Sequence, residues 1–118
     1  MNIVILSTNP NLYSTKRLVE AGEQRGHTMS VINHTRIFVV IESGAPMVYY
    51  KDHKIENVDA IIPRIGASVT FYGSSIIRQF EMQKVFTTCS SLALVRSRDK
   101  LRATQILSRH GIGIPKTA

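Results

Sequence analysis

The fold is decided by the stretch Asn2-Ile3-Val4-Ile5-Leu6-Ser7, whose apolar side chains occupy both faces of a short strand. Strands of this kind are typical of parallel sheets that are covered on both sides. The turn formers that follow lead into a helix predicted from Ser14, its N-cap, to Arg25, and then into a strand over Thr28–Ile32. Strand, helix and strand within about 32 residues form a βαβ unit, which pairs the two strands in parallel.

The remaining predicted elements extend this architecture. Asp59–Arg64 has the pattern of another buried strand, and a helix over about Tyr72–Gln83 carries one apolar stripe. Together they predict a three-layer α/β domain with a mostly parallel sheet. The other expected elements are a hairpin of Ile37–Ile41 and Met47–Tyr50 around Glu42–Pro46, a last strand at Val85–Cys89 with Cys89 in the core, a short helix at Ser91–Arg96, a helix from Ser97 as N-cap to His110, and the start of a strand at Gly113–Thr117.

Length and composition exclude several classes of protein. With 118 residues, 43% of them hydrophobic and 19% charged, the chain suffices for one compact domain and is too short for most two-domain enzymes. No apolar run approaches the roughly 20 residues of a membrane span, and no signal peptide is recognisable. A single cysteine excludes a disulfide framework, and the 4 histidines lack metal-ligand spacing. We therefore expect a soluble, cytoplasmic domain without metal.

The net charge of +7 is unevenly distributed. Residues 1–63 contain six Lys/Arg and six Asp/Glu, whereas residues 64–118 contain nine Lys/Arg against two Asp/Glu. The whole excess therefore lies in the second half, which predicts a face for an anionic partner. Nucleic acid, nucleotide phosphates and an acidic polypeptide all fit this charge, and so does a solvated basic surface with no partner.

Polar candidates follow two of the predicted strands. The turn after the first strand lacks glycine, which excludes the dinucleotide-binding fingerprint, but Ser7, Thr8 and Asn11 could bond a ligand or cap their own turn. Arg64 follows the buried part of the later strand, Asp59–Ile62, and its planar guanidinium suits a carboxylate or a phosphate. A solvated loop arginine is the alternative interpretation.

A group of cations opens the last predicted helix. In Arg98-Asp99-Lys100-Leu101-Arg102, Asp99 suits the positive helix end and the three cations do not. A bound anion explains them, and so does a plain helix start that Asp99 compensates. No Ser/His/Asp set and no paired carboxylates are present, so no catalytic residue is assigned in this chain.

Four stretches, taken together, resemble a known family. They are Leu12–Leu18, Pro63–Gly66, Thr70–Gly73 with Arg78–Met82, and Arg98–Arg102. In order and spacing they are similar to the amino-terminal part of the RimK ribosomal-protein glutamate ligases of the ATP-grasp superfamily. The resemblance covers essentially the whole chain, with residues 33–57 fitting loosely.

This resemblance implies a pre-ATP-grasp (Rossmann-like) domain at 1–96, followed by a linker helix and the start of the ATP-grasp domain at 97–118. It implies a full-length enzyme that uses ATP and Mg²⁺ (or Mn²⁺) to add L-glutamate, through an acylphosphate, to the carboxyl terminus of the sixth protein of the small ribosomal subunit. Related activity makes free poly-α-glutamate. A homo-oligomer is implied for the full-length protein.

The resemblance also suggests roles for two residues of this chain. Lys100 matches a position that approaches the ATP phosphates, and Arg64 one where recognition of a substrate carboxylate is expected. Metal ligands and the adenine pocket belong to the ATP-grasp domain, so this chain alone is expected to fold without catalysing. The alternatives are a basic nucleic-acid-binding module, disfavoured by the absence of a recognised motif, and a non-catalytic assembly domain.

Overall fold

The computed structural model describes residues Met1–Ala118 as two β-sheets and four α-helices. The strands are β1 (Asn2–Leu6), β2 (Thr28–Ile32), β3 (Ile37–Glu42), β4 (Ala45–Tyr50), β5 (His53–Lys54), β6 (Ala60–Pro63) and β7 (Phe86–Thr87), and the helices are α1 (Tyr13–Gln24), α2 (Thr70–Met82), α3 (Ser91–Arg98) and α4 (Lys100–Arg109). One sheet is all parallel in the order β2-β1-β6-β7, and the other is antiparallel in the order β3-β4-β5. No helix combines the length and the apolar character needed to cross a membrane.

β1 is the central strand of the parallel sheet. It pairs with β2 along its whole length, and with β6 from Ile3 to Leu6. Val4, Ile5 and Leu6 are all buried, as the two-faced apolar pattern of this strand predicts. The predicted α/β class and the parallel pairing of the first three buried strands are therefore confirmed.

Helices cover both faces of the parallel sheet. Val4 and Leu6 point to one face, where they join the side chains of α2 in the main core. Ile3, Ile5 and Met29 point to the other face, where α1 lies so close that a methyl group on Gly22 would overlap the Met29 side chain. The predicted apolar stripe of α2 is buried, and the residues that share the main core are Val4, Leu6, Ile37, Val48, Ile61, Ile65, Ile76, Ile77, Phe80 and Leu94.

The antiparallel sheet packs on α2 through its first two strands. Ser43 and Gly44 form a two-residue turn between β3 and β4, so the predicted hairpin is confirmed with a shorter turn. The Gln79 amide nitrogen donates to the carbonyl oxygens of Val40 (3.2 Å) and Met47 (3.1 Å). These bonds tie α2 to the backbone of both strands.

His34 is fully buried in the short 3₁₀ turn that precedes β3. Burial lowers the pKa of its imidazole below the usual value, because the protonated ring loses hydration. The ring is therefore neutral at pH 7 and fills core volume beside α2.

Both predicted serine N-caps are wrong. The N-cap of α1 is Leu12, two residues before Ser14, because the Asn9 side chain already turns the chain by accepting from the Asn11 N–H at 2.9 Å. Ser97 lies inside α3, and Asp99 caps α4 by accepting from the Arg102 N–H at 3.0 Å. A carboxylate offsets the positive end of a helix better than a hydroxyl does, which favours Asp99.

Three further expectations need correction. The strand predicted at Val85–Cys89 is only two residues long, and Cys89 lies half-buried in the turn beyond it, where its N–H donates to the Thr87 hydroxyl at 3.3 Å. Residues 113–117 pair with no strand. The predicted boundary at residue 96 falls inside α3, and this division of the chain stays a prediction.

The start of α3 is anchored from α2 by Glu81. Its two carboxylate oxygens accept from the Ser91 N–H at 2.8 Å and from the Ser91 hydroxyl at 2.7 Å. The Ser90 hydroxyl caps the same helix end by accepting from the Ala93 N–H at 3.1 Å. The position of α3 on the sheet therefore depends on a partly buried carboxylate.

We expect Gly73→Ala to destabilise the domain, because the added Cβ would lie 2.4 Å from Cγ2 of the buried Ile65. Overpacking costs about 1–3 kcal/mol, against ~1 kcal/mol gained from the better helix former, so a net loss of up to about 2 kcal/mol is expected in urea unfolding. Gly66→Ala is the matched control, since its Cβ would meet nothing closer than 3.9 Å. Equal urea midpoints for Gly73→Ala and Gly66→Ala would contradict the close packing of Gly73 against Ile65.

We expect Glu81→Ala to lower the free energy of unfolding by about 1–3 kcal/mol, because it leaves the buried Ser91 hydroxyl without a partner. The control is Glu20→Ala, which removes an ion pair with Arg17 whose side chains are both about half exposed. That loss is expected to stay below about 0.5 kcal/mol. If Glu81→Ala and Glu20→Ala lower the free energy of unfolding equally in thermal and chemical unfolding, Glu81 does not anchor α3.

Candidate functional site

A cleft of about 480 Å³ opens at the carboxyl ends of β1 and β6. This is the sheet edge at which open α/β folds bind their ligands. The loops after both strands, the start of α1 and the last turn of α3 enclose it. The lining residues are Ser7, Thr8, Leu12, Thr15, Pro63, Arg64, Ile65, Gly66, Cys89, Leu94 and Arg98.

The loop after β1 is held mainly by its own hydrogen bonds. The buried hydroxyls of Ser7 and Thr15 lie 3.3 Å apart, and Ser7 also donates to the Asn9 carbonyl at 3.2 Å. Thr8 is exposed in the cleft, whereas Asn11 does not line it. Of the three predicted polar candidates, only Thr8 offers the cleft a hydroxyl free of intrachain bonds.

Arg64 lies at the mouth of the cleft, as its position after a buried strand predicts. Its N–H donates to the Leu6 carbonyl at 2.8 Å, which fixes its backbone against the end of β1. Its guanidinium is exposed and donates from Nη2 to the Ser14 hydroxyl at 3.3 Å, in the first turn of α1. No carboxylate pairs with it, so the other guanidinium donors remain available.

Arg98 lines the cleft, although the sequence analysis placed it with Lys100 and Arg102 at the start of the last helix. It ends α3, and its Nη2 donates to the Ile65 carbonyl on the opposite wall. Leu94 lies one turn earlier and is buried. The sequence could have indicated this place, because Arg98 lies four residues after the apolar Leu94 and therefore on the face of α3 that meets the sheet.

The cleft is positively charged and contains no carboxylate. Two guanidiniums line it, and α1 begins beside it with no acidic residue in the first turn and no side-chain cap. The ion pairs of the chain, Arg17–Glu20 and Lys54–Glu56, lie outside the cleft. The uncapped N–H groups at the start of α1 and the two planar guanidiniums together favour an anion such as a carboxylate or a phosphate.

Lys100 lies outside this cleft. It is exposed at the first position of α4, where the neighbouring Asp99 caps the helix. The structure therefore does not bring Lys100 and Arg64 into one cavity. No group of three His, Cys, Asp or Glu side chains is close enough to hold a metal ion, so we assign no metal ligand here.

Several solved structures share this fold. Macrocyclase MdnB from Microcystis aeruginosa MRC superposes with a TM-score of 0.70 at 16% identity, over 100% of this chain and 53% of that chain. The ATP-grasp ligase PsnB, complexed with a minimal precursor, gives a TM-score of 0.69 at 16% identity, over 98% of this chain and 44% of its own. At these identities the likeness establishes the fold alone.

Sequence relatives are much closer. A protein named "Probable alpha-L-glutamate ligase" from Stutzerimonas stutzeri (strain A1501) is 59% identical over 117 residues, and its counterpart from Ectopseudomonas mendocina (strain ymp) is 58% identical. Each match covers 99% of this chain and 39% of the relative. The family model described as the RimK PreATP-grasp domain matches residues 1–94. The chain therefore belongs to the RimK pre-ATP-grasp domain family, as its four resembling stretches predict.

Proposed function

We propose that this chain is the amino-terminal domain of an ATP-dependent α-L-glutamate ligase, in which residues 97–118 lead into the ATP-grasp domain. The ligases to which it is similar are about 58% identical to it and extend well beyond it, since the chain spans 39% of their length. The observation that carries the proposal is the cleft lined by two arginines and no carboxylate.

The proposed reaction explains why such a cleft is useful. The γ-phosphoryl group of ATP is transferred to a carboxylate oxygen, which releases ADP and leaves an acylphosphate. The amine of glutamate then attacks the acyl carbon, phosphate leaves, and an amide bond forms. Every substrate carries negative charge, so a domain whose second half has a surplus of cations attracts them all.

Within this reaction, Arg64 binds and orients a substrate carboxylate. Its exposed guanidinium at the cleft mouth can form the planar, bidentate pair that a carboxylate accepts. Arg98 supports it by adding positive charge and by holding the Ile65 carbonyl, which keeps the two walls of the cleft at a fixed distance. A carboxylate held here would be positioned before the phosphoryl group arrives, which lowers the entropic cost of the reaction.

The acceptor that best fits the cleft is a flexible, acidic carboxyl terminus. We propose the carboxyl terminus of the sixth protein of the small ribosomal subunit, to which glutamates are added in sequence in the cytoplasm, and free poly-α-glutamate as a further product. Each added glutamate leaves a new terminal carboxylate, so the same arginine can bind the product of one cycle as the substrate of the next.

Lys100 has a separate role in this proposal, namely to contact the ATP phosphates from the start of α4. Lys100 is exposed and lies outside the arginine-lined cleft, which suits a group that faces the ATP-grasp domain. We assign the adenine pocket and the ligands of Mg²⁺ (or Mn²⁺) to that domain, and no step of the reaction to a metal held by this chain.

In the full-length ligase, Arg64→Lys is expected to raise KM for glutamate or the acceptor about tenfold, because an ammonium cannot form the bidentate carboxylate pair. KM for ATP should change by less than about twofold, since Arg64 does not contact the phosphates in this scheme. ADP release at varied substrate concentrations measures both values.

The control for Arg64→Lys is Arg78→Lys, which makes the same chemical change on the exposed surface of α2, outside the cleft. Its kinetics should match those of the unmodified enzyme. Equal damage to the use of ATP and of glutamate by Arg64→Lys would indicate collapse of the cleft wall and would overturn the carboxylate role.

Lys100→Ala should impair the use of ATP rather than of glutamate, the reverse of the effect expected for Arg64→Lys. Loss of a charge-assisted hydrogen bond worth roughly 1.5–3 kcal/mol should lower kcat/KM for ATP about tenfold or more, with little change in KM for glutamate. Lys116→Ala, which removes an exposed lysine from the segment after α4, is the matched control. Unchanged ATP kinetics in Lys100→Ala would show that this cation serves only the helix surface.

A further inference from the structure

The two arginines of the cleft are anchored to different parts of its wall. The Arg64 guanidinium donates from Nη2 to the Ser14 hydroxyl at 3.3 Å, in the first turn of α1. The Arg98 guanidinium, at the end of α3, donates from Nη2 to the Ile65 carbonyl. Each contact uses one of the five N–H donors of a guanidinium, so both groups keep most of their hydrogen-bonding capacity. The cleft therefore offers two separately anchored cations to a ligand.

Neither cation is neutralised within the chain. The ion pairs of the chain are Arg17–Glu20 and Lys54–Glu56, and no carboxylate lines the cleft. A single guanidinium can satisfy both oxygens of one carboxylate in a planar, bidentate pair. A ligand with one carboxylate would therefore leave the second arginine without a partner. The cleft is better suited to a ligand that carries two carboxylates.

Apolar side chains supply much of the remaining lining. Leu12 precedes α1 and is half exposed, whereas Ile65 and Leu94 are buried in the cleft wall. Such groups contact methylene groups favourably and offer no partner to a polar linker. The volume of about 480 Å³ lies within the usual range for small-molecule sites, about 300–1,000 Å³. Two carboxylates joined by a short aliphatic chain, as in a glutamyl residue, match this combination of groups.

The proposed reaction offers a glutamyl residue with two free carboxylates in two forms, free glutamate and the carboxyl-terminal residue of the acceptor. Free glutamate also carries an ammonium group, and the cleft has no carboxylate to pair with it. The two guanidiniums and the start of α1, which has no acidic residue in its first turn, would repel that ammonium. In the acceptor the same nitrogen is a neutral amide. The charges of the cleft therefore favour the acceptor.

We propose that Arg98 is a specificity-determining residue, which binds the side-chain carboxylate of a carboxyl-terminal glutamyl residue while Arg64 binds its terminal carboxylate. This inference rests on the proposed function and deepens it, because it assigns the cleft to the acceptor rather than to the incoming glutamate. Each addition regenerates both carboxylates at the new end of the chain. The cleft therefore favours an acceptor that already ends in glutamate over one that ends in a neutral residue.

An NMR titration of the 118-residue chain tests this assignment without ATP and without catalysis. The probes are a short acetylated peptide that ends in glutamate, the same peptide ending in glutamine, and the glutamate peptide with an amidated terminus. Backbone signals of the cleft residues should shift, and the Kd of the glutamate peptide should be about tenfold lower than that of either analogue, because each analogue loses one charge-assisted pair. Free glutamate should bind about tenfold more weakly than the glutamate peptide, because its ammonium is repelled.

Two variants separate the contributions of the arginines. Arg98→Met should remove the preference for glutamate over glutamine and keep the preference for a free terminus over an amidated one. Arg64→Met should have the reverse effect on the two preferences. If Arg98 served only to hold the Ile65 carbonyl, its loss would weaken the binding of all peptides alike and leave the ratios of their Kd values unchanged.

Arg96→Met is the matched control. Arg96 is exposed on the same helix as Arg98 and does not line the cleft. The variant loses the same charge, but salt screens its effect on the cleft, so each Kd should stay within about twofold of the value for the unmodified chain. Both preferences should remain. Circular dichroism of each variant confirms that it is folded.

Several results would overturn the proposal. One is the absence of any shift of cleft signals with up to about 50 mM of the glutamate peptide. Another is an equal Kd for the peptides that end in glutamate and in glutamine, or a ratio that Arg98→Met leaves unchanged. Free glutamate that binds as tightly as the glutamate peptide would assign the cleft to the incoming amino acid instead.

A failure of this inference is distinguishable from a failure of the ligase function. A full-length protein that joins no glutamate to any acceptor would refute the proposed reaction, whatever the isolated chain binds. A full-length ligase that extends peptides ending in glutamate and in glutamine with equal kcat/KM would retain the reaction and refute the role of Arg98.

Discussion

The parallel pairing of β1 with both β2 and β6 is the constraint on which the rest of the structure depends. Because all three strands run in the same direction, the loops that follow them emerge at one edge, and the cleft forms there. The pairing continues beyond the strands, since the Ser7 N–H donates to the Ile32 carbonyl at 3.0 Å and the Arg64 N–H to the Leu6 carbonyl at 2.8 Å. The arginine of the cleft is thus fixed at its backbone while its side chain remains free to bind.

The positive charge of the second half is divided between two surfaces with different properties. Arg64 and Arg98 line a concave cleft, where neighbouring walls exclude part of the solvent and strengthen an anion contact. Lys100 and Arg102 are exposed on α4, none of whose residues is buried. Cations on such an open helix attract anions at long range and are screened by salt. Composition reports only the sum of these charges, and their division between a concave cleft and an open helix surface requires the fold.

Sequence reasoning located the elements that are defined by burial and missed details that depend on competing hydrogen bonds. The two-faced pattern of β1 and the apolar stripe of α2 predicted the core, and the position of Arg64 after a buried strand predicted its place in the cleft. Helix starts were less predictable, because Ser14 and Asn9 both offer plausible turns and only the folded loop decides between them. Arg98 was grouped with the cations of the last helix, and its place in the cleft was not predicted, because that place depends on the Ile65 carbonyl, which is distant in sequence and adjacent in space.

α2 is the element that connects the cleft to the antiparallel sheet. On the side of the cleft, Gly73 packs against Ile65, whose carbonyl accepts a hydrogen bond from Arg98. Toward the antiparallel sheet, Gln79 bonds the backbone of Val40 in β3. The Tyr72 hydroxyl of the same helix donates to the Ile37 carbonyl at the start of β3. Because all three contacts lie on one helix, the antiparallel sheet supports the position of α2 and, through Gly73, the Ile65 wall of the cleft. No residue of the antiparallel sheet lines the cleft, so its contribution to the site is indirect and depends on the packing of α2.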